Sequence, residues 1–72
     1  MELTSKNLLN IIKAHGAVYE THLLKTFGTT EKVEDSLSIV REAVKLMRLK
    51  LIDLEFDDKG NRIYTIINRT IN

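Results

Sequence analysis

Residues 30–67 have the sequence TEKVEDSLSIVREAVKLMRLKLIDLEFDDKGNRIYTII, and the spacing of their apolar residues changes once. Up to Leu51, apolar residues recur at alternating steps of four and three without glycine or proline, which predicts one amphipathic helix over about residues 30–49. After Lys50, apolar and acidic residues alternate, which is the pattern of a strand with one buried face. The expected inner residues are Val33, Leu37, Val40, Val44, Met47 and Leu51 in the helix and Ile52, Leu54 and Phe56 in the strand. This stretch therefore predicts a long helix followed by a β-hairpin.

The turn of the hairpin is predicted within residues 57–61, DDKGN, where Gly60 can adopt a positive φ. A loop of two or four residues would pair Phe56 with Ile63. A loop of three residues with a glycine bulge would instead place Tyr64 and Ile66 on the inner face. We favour the three-residue loop.

The residues before this stretch predict two shorter helices with a short strand between them. Thr4 or Ser5 can cap the first helix, which Gly16 ends. Residues 17–19, AVY, form a short β-prone run, and Thr21 is placed to cap the second helix. The expected inner residues are Leu8, Ile11, Ile12 and His15 in the first helix and Leu23, Leu24 and Phe27 in the second.

The predicted order is helix, strand, helix, turn, helix and hairpin, with residues 28–30, GTT, closing the second helix and capping the third. A chain of 72 residues forms one domain, because it is too small to build two cores. We therefore expect a single domain over residues 1–72, and the initial Met1 with a short tail favours a complete small gene product.

The composition argues against several classes of function. The chain has no cysteine, which excludes disulfides, and its only soft metal ligands are His15 and His22, so we expect no metal and no other cofactor. No run of about 18 apolar residues and no signal-peptide pattern occurs, which predicts a cytoplasmic protein with no membrane partner. No nucleophile is placed beside either histidine and no small-molecule substrate is evident, so we expect that the protein is not an enzyme.

Nearly the whole chain, from about residue 8 to residue 67, resembles the winged helix-turn-helix domains of small archaeal, prokaryotic or viral transcription regulators. The resemblance lies in GAVYETHL at residues 16–23, VKLMRLKLI at residues 44–52 and GNRIYTI at residues 60–66. It implies an α+β fold, a winged helix in which a three-helix core with a helix-turn-helix is followed by a two-stranded antiparallel β-hairpin, the wing. Two features depart from the family pattern: Lys50 stands where a glycine is usual, and the third helix is several residues longer than usual.

The resemblance also implies a function, that of a DNA-binding transcription regulator whose partner is double-stranded DNA. In such proteins the third helix enters the major groove, and basic residues at the wing tip reach phosphates or the minor groove. The candidate DNA contacts in this chain are Lys25, Thr29, Thr30, Lys32, Ser36, Arg41, Lys45, Lys59, Asn61 and Arg62. The net charge is only +1 and the calculated pI is 8.1, below the value of about 9 that marks strongly basic nucleic-acid domains. An ordinary solvated surface therefore remains an alternative for these residues.

A helical wheel raises a second possibility for the third helix. If the stripe from Val33 to Met47 faces inward, then Glu31, Asp35 and Glu42 face outward, where carboxylates would repel phosphates. The same wheel directs a second apolar stripe outward, formed by Ile39, Ala43, Leu46 and Leu49. Either the first helix and the wing cover this stripe, or it is the interface of a homodimer. The alternative function is therefore a winged-helix protein interaction module that uses the acidic and apolar face of the third helix.

Overall fold

The computed structural model describes residues 2–27 and 33–67 of the chain, with side chains throughout except at residues 33–35. In this part, the chain forms a small α+β domain with three helices and one three-stranded antiparallel sheet. In chain order the elements are α1 (Ser5–His15), β1 (Ala17–Tyr19), α2 (Glu20–Thr26), α3 (Val33–Arg48), β2 (Ile52–Phe56) and β3 (Arg62–Ile66). No described helix is both long and apolar enough to cross a membrane.

The sheet has one strand more than the predicted hairpin. The central strand is β3, which pairs antiparallel with β2 on one side and with β1 on the other. Val18 and Leu54 are both directly opposite Tyr64. Just beyond β1, the Ile66 amide donates a hydrogen bond of 2.8 Å to the Gly16 carbonyl oxygen. The predicted two-stranded antiparallel hairpin is therefore confirmed as β2 and β3. The prediction did not include the third strand of the sheet, β1, which pairs with the free edge of β3.

The hairpin turn has the three-residue loop that the sequence favours. The Asp57 amide donates to the Asn61 carbonyl oxygen at 3.1 Å, and the Gly60 amide donates to the Asp57 carbonyl oxygen at 3.0 Å, which leaves residues 58–60 as the loop. Gly60 has a φ of +83°, a conformation that strains any residue with a side chain. The three-residue loop, which the sequence analysis favoured over a loop of two or four residues, is therefore confirmed.

This register places Tyr64 and Ile66 on the inner face of the sheet, as predicted. Tyr64 is fully buried, and Ile66 is partly buried against the core. In β2, Ile52 and Leu54 also face the core. Phe56 was expected on the same face as a buried residue, but it is 60% exposed because it lies at the turn end of β2, outside the core cluster.

Both ends of α1 agree with the sequence, whereas the start of α2 does not. Thr4 is the N-cap of α1, and its hydroxyl accepts a backbone hydrogen bond of 3.1 Å. Gly16 ends the helix with a φ of +78°. The second helix begins at Glu20, directly after β1, and the preceding Tyr19 makes no side-chain cap hydrogen bond. The predicted cap at Thr21 is therefore wrong, because that residue already lies inside α2.

The core lies between the helices and the inner face of the sheet. Its buried residues are Leu8, Ile12, Val18, Leu23, Phe27, Ile39, Ala43, Leu46, Ile52 and Tyr64. In α1 and α2 the predicted inner faces are confirmed except at His15, which is exposed. Ile11 and Leu24 are partly buried against the same cluster.

The third helix turns a different face to the core from the one predicted. Ile39 and Ala43 are fully buried and Leu46 is 3% exposed, whereas Leu37 is 57% exposed. The prediction failed because both stripes are apolar and are centred about 130° apart on the wheel, so periodicity alone does not decide which one faces inward. The predicted dimer interface is therefore wrong for Ile39, Ala43 and Leu46, which lie in the core of their own chain. Its fourth member, Leu49, is 67% exposed.

The end of α3 is a Schellman motif with a lysine at its left-handed position. The Leu51 amide donates to the Leu46 carbonyl oxygen at 3.1 Å, and the Lys50 amide donates to the Met47 carbonyl oxygen at 2.9 Å. Lys50 has a φ of +61° and is the one non-glycine residue in the described part of the chain with a positive φ. It stands at the position where the resemblance predicts a glycine.

Candidate functional site

Three basic residues lie on the side of α3 that faces away from the core, within residues 36–48, the part of the helix whose side chains are described. Arg41, Lys45 and Arg48 are all exposed, and on a wheel of about 100° per residue they fall within about 60° of one another, opposite Ile39 and Ala43. At a rise of about 1.5 Å per residue they extend over about 10 Å of the helix. We call these three residues the basic face of α3.

Glu42 does not belong to this outward surface, contrary to the prediction. Its side chain is only 18% exposed, and its Oε1 accepts a hydrogen bond of 2.7 Å from the Ser5 hydroxyl of α1. Lys45 Nζ lies 3.2 Å from Glu42 Oε2. The hydrogen bond from Ser5 is the largest cause that lowers the pKa of Glu42, and Lys45 and Arg41 lower it further, against the opposing effect of burial. The carboxylate is therefore held against α1, and the prediction that Glu42 faces outward is wrong. The other two acidic residues of that prediction, Glu31 and the side chain of Asp35, lie outside the described residues.

At the hairpin turn, Asp57 organises the neighbouring residues. Its Oδ1 accepts hydrogen bonds from the backbone amides of Lys59 and Asn61, at 2.8 and 2.9 Å. Its Oδ2 accepts one of 3.0 Å from the Asn61 side-chain amide. The hydrogen bonds from Asn61 are the main cause that lowers the pKa of Asp57. Lys59 is therefore exposed at a fixed turn, whereas the side chain of Asn61, a predicted DNA contact, is engaged inside it.

The sequence analysis predicted that Arg62 projects from the wing, but its side chain is held by a neighbouring helix. Its Nη1 donates a hydrogen bond of 3.0 Å to Oε2 of Glu20 in α2, and the Glu20 side chain is 12% exposed. The other oxygen of the same carboxylate accepts a hydrogen bond of 2.9 Å from the Tyr64 hydroxyl. Burial first, and then this hydrogen bond, raises the pKa of Tyr64 well above its usual range. Arg62 therefore joins the hairpin to α2 and is a poor candidate for the first contact with DNA.

Only some of the other predicted DNA contacts lie within the described residues. Lys25 is exposed in α2, and Ser36 is half-buried near the start of α3. Outside the described residues lie Thr29, Thr30, Glu31 and Lys32, together with the side chain of Asp35. The sequence analysis missed Arg48, although its spacing from Arg41 and Lys45 puts all three on one face. The wrong choice of inner stripe concealed that relation.

A second surface of α3 is apolar and partly exposed. Its members are Leu37, Val40, Val44, Met47 and the following Leu51, and we call them the apolar stripe. Leu37 is 57% exposed and Leu51 is 37% exposed, while Met47 packs partly against the core. The stripe lies about 90° around the helix from the basic face.

Within the described part of the chain, no group of three or more histidine, aspartate or glutamate side chains is arranged to hold a metal ion. No protein-family model matches the chain, and no curated protein and no solved structure is significantly similar to it.

Proposed function

We propose that this chain is a cytoplasmic winged-helix domain that binds double-stranded DNA through α3 and the β2–β3 hairpin and so regulates transcription. The order α1, β1, α2, α3, β2, β3 and the sheet order β1-β3-β2 support this assignment. In winged-helix proteins the third helix is the element that enters the major groove. That helix is the longest of those described here, with 16 residues.

The observation that favours DNA most is the basic face of α3. Arg41 and Arg48 are exposed on one side of the helix and can contact phosphates along one groove. Lys45, on the same side, pairs with Glu42 at 3.2 Å but is 57% exposed. Lys59 at the hairpin turn supplies a fourth exposed cation on a different element. Because Glu42 is turned toward α1, it does not repel the phosphates as a carboxylate at the centre of this face would.

The test compares two double variants that remove the same charge from different surfaces. Arg41→Ala with Arg48→Ala reduces the basic face, whereas Lys6→Ala with Lys13→Ala removes two exposed cations from α1. Binding to labelled genomic duplex fragments is followed by fluorescence anisotropy at low salt. We expect the first pair to weaken binding at least about tenfold and the second pair to change it little. Equal effects of the two pairs, or no binding by the natural chain, would refute the proposal.

A second candidate is a protein interaction surface, and the apolar stripe favours it. Its spacing of three and four residues is that of the a and d positions of a heptad, which pack against a helix of the same spacing. We propose that a second copy of the chain is that partner, so that the regulator is a homodimer. The basic face is centred about 90° around the helix from the stripe, so the two candidates use different sides of α3.

The dimer is tested by light scattering after size-exclusion chromatography. Leu37→Glu with Val44→Glu is expected to convert a dimer to a monomer, because each change places a charge in the interface. Leu49→Glu is the control, since Leu49 is 67% exposed and lies outside the stripe. A natural chain that is monomeric at high concentration, or a dimer that tolerates both stripe changes, would show that the apolar stripe is not a dimer interface.

A further inference from the structure

The two histidines of the chain lie side by side, although six residues separate them in the sequence. His15 is the last residue of α1 and His22 lies in α2, and both side chains are exposed. Their ring centroids are 5.2 Å apart and the ring planes are inclined by 72°. The short strand β1 between the helices brings the two rings together, and neither ring takes part in the core or in the proposed DNA surface.

We propose that His15 and His22 chelate one divalent transition-metal ion of the borderline class, such as Zn²⁺, Ni²⁺ or Cu²⁺, through one nitrogen of each imidazole. Neutral imidazole is a favoured ligand for these ions. With metal–nitrogen bonds of 2.0–2.1 Å, each ring centroid would lie about 3.2 Å from the ion, so that a tetrahedral angle at the metal separates the centroids by about 5.2 Å. The observed separation of 5.2 Å equals that value.

The backbone directly after His15 is fixed by hydrogen bonds. The Gly16 amide donates to the Ile12 carbonyl oxygen at 2.8 Å, and the Gly16 carbonyl oxygen accepts from the Ile66 amide at 2.8 Å, which anchors the chain directly after His15. The inclination of 72° is compatible with shared coordination, because the ion has only to lie in the plane of each ring and two inclined planes always intersect. Each ring can turn to aim a nitrogen at the ion at little cost, because the second side-chain torsion of histidine has a broad energy profile and the exposed rings displace no core residue.

The electrostatic setting of the pair also accepts a cation. His15 ends the 11-residue helix α1, and the carbonyl end of a helix favours positive charge. Lys13 in the same last turn and Lys25, three residues after His22, oppose it, but both side chains are exposed and their charges are screened by solvent. No third protein ligand is grouped with the pair among the described residues, so water molecules complete the coordination.

The experiment is a titration of the untagged full-length chain with zinc chloride at pH 7.5 in a buffer that does not bind metal. The ring C–H signals of both histidines are followed by NMR. We expect both sets of signals to shift along one saturation curve that ends at one ion per chain. His15→Ala and His22→Ala are each expected to weaken binding at least about tenfold, because each removes one of two linked ligands. Asn10→Ala, at an exposed position of α1, is the control and should bind like the natural chain.

The proposal is overturned if the two rings respond at different zinc concentrations, if either single histidine variant keeps the natural affinity, or if saturation occurs at one ion per two chains. Circular dichroism of each variant verifies that the fold is retained. None of these results depends on DNA binding.

Discussion

The left-handed conformation of Lys50 predicts that a single substitution will stabilise the protein. The left-handed backbone conformation is less favourable by about 1–2 kcal/mol for a residue with a Cβ atom than for glycine. Lys50 has a φ of +61° and makes the Schellman hydrogen bond to Met47 through its backbone, so Lys50→Gly keeps that bond and removes the strain. Part of this stabilisation is offset, because glycine loses more conformational entropy on folding than lysine does. We expect a net increase in the free energy of unfolding of about 0.5–1 kcal/mol, or a rise in Tm of about 2–8 °C for a domain of this size.

The assay is equilibrium unfolding in urea followed by circular dichroism. Lys50→Gly should raise the midpoint without changing the m-value, which would locate the effect in the folded conformation. Lys50→Ala is the control, because it removes the same charge but keeps the strained φ, and it should change the stability by less than about 0.5 kcal/mol. Gly16→Ala, at a φ of +78° in open space, should destabilise by about 1–2 kcal/mol. A Lys50→Gly variant no more stable than Lys50→Ala would refute the reasoning.

Two further predictions concern the carboxylates that join elements of the fold. The pKa of Glu42 is lowered in the folded chain, so its contribution to stability is present above the pKa of the unfolded chain and is lost as pH falls through the folded value. Glu42→Gln should therefore reduce the fall in Tm as the pH is lowered. If the Tm of the variant falls with pH as steeply as that of the natural chain, the hydrogen bond from Ser5 does not stabilise the Glu42 carboxylate. Tyr64→Phe removes the hydroxyl that donates to Glu20 and should lower the free energy of unfolding in urea by about 1 kcal/mol. A change near zero would mean that the Arg62 contact alone satisfies Glu20.

Local features of the fold were predictable from the sequence because neighbouring residues determine them. The Thr4 hydroxyl can cap a helix, and Gly16 and Gly60, which have no Cβ atom, can adopt the positive φ that a helix end and the three-residue turn require. That turn sets the register of the hairpin, which in turn buries Tyr64. Each of these inferences uses residues within a few positions of one another.

The features that escaped prediction depend on contacts between distant residues. Pairing of β1 with β3 and the hydrogen bonds of Glu20 to Arg62 and Tyr64 join residues more than 40 positions apart. The orientation of α3 is undetermined by periodicity when two apolar stripes share one helix, because only packing against α1, α2 and the sheet selects Ile39 over Leu37. The basic face is recognised only once that orientation is known. The wrong choice of inner stripe therefore hid the grouping that most favours DNA binding.

The salt dependence of DNA affinity is the most direct measurement of the central claim. If Arg41, Lys45, Arg48 and Lys59 each neutralise a phosphate, log K should fall with log salt at a slope of about −3.6 for the natural chain. Arg41→Ala with Arg48→Ala should reduce the magnitude of the slope by about 1.8, whereas Lys6→Ala with Lys13→Ala should leave it unchanged. A slope that stays the same without Arg41 and Arg48, or that falls equally in the α1 control, would contradict a DNA-binding surface on α3.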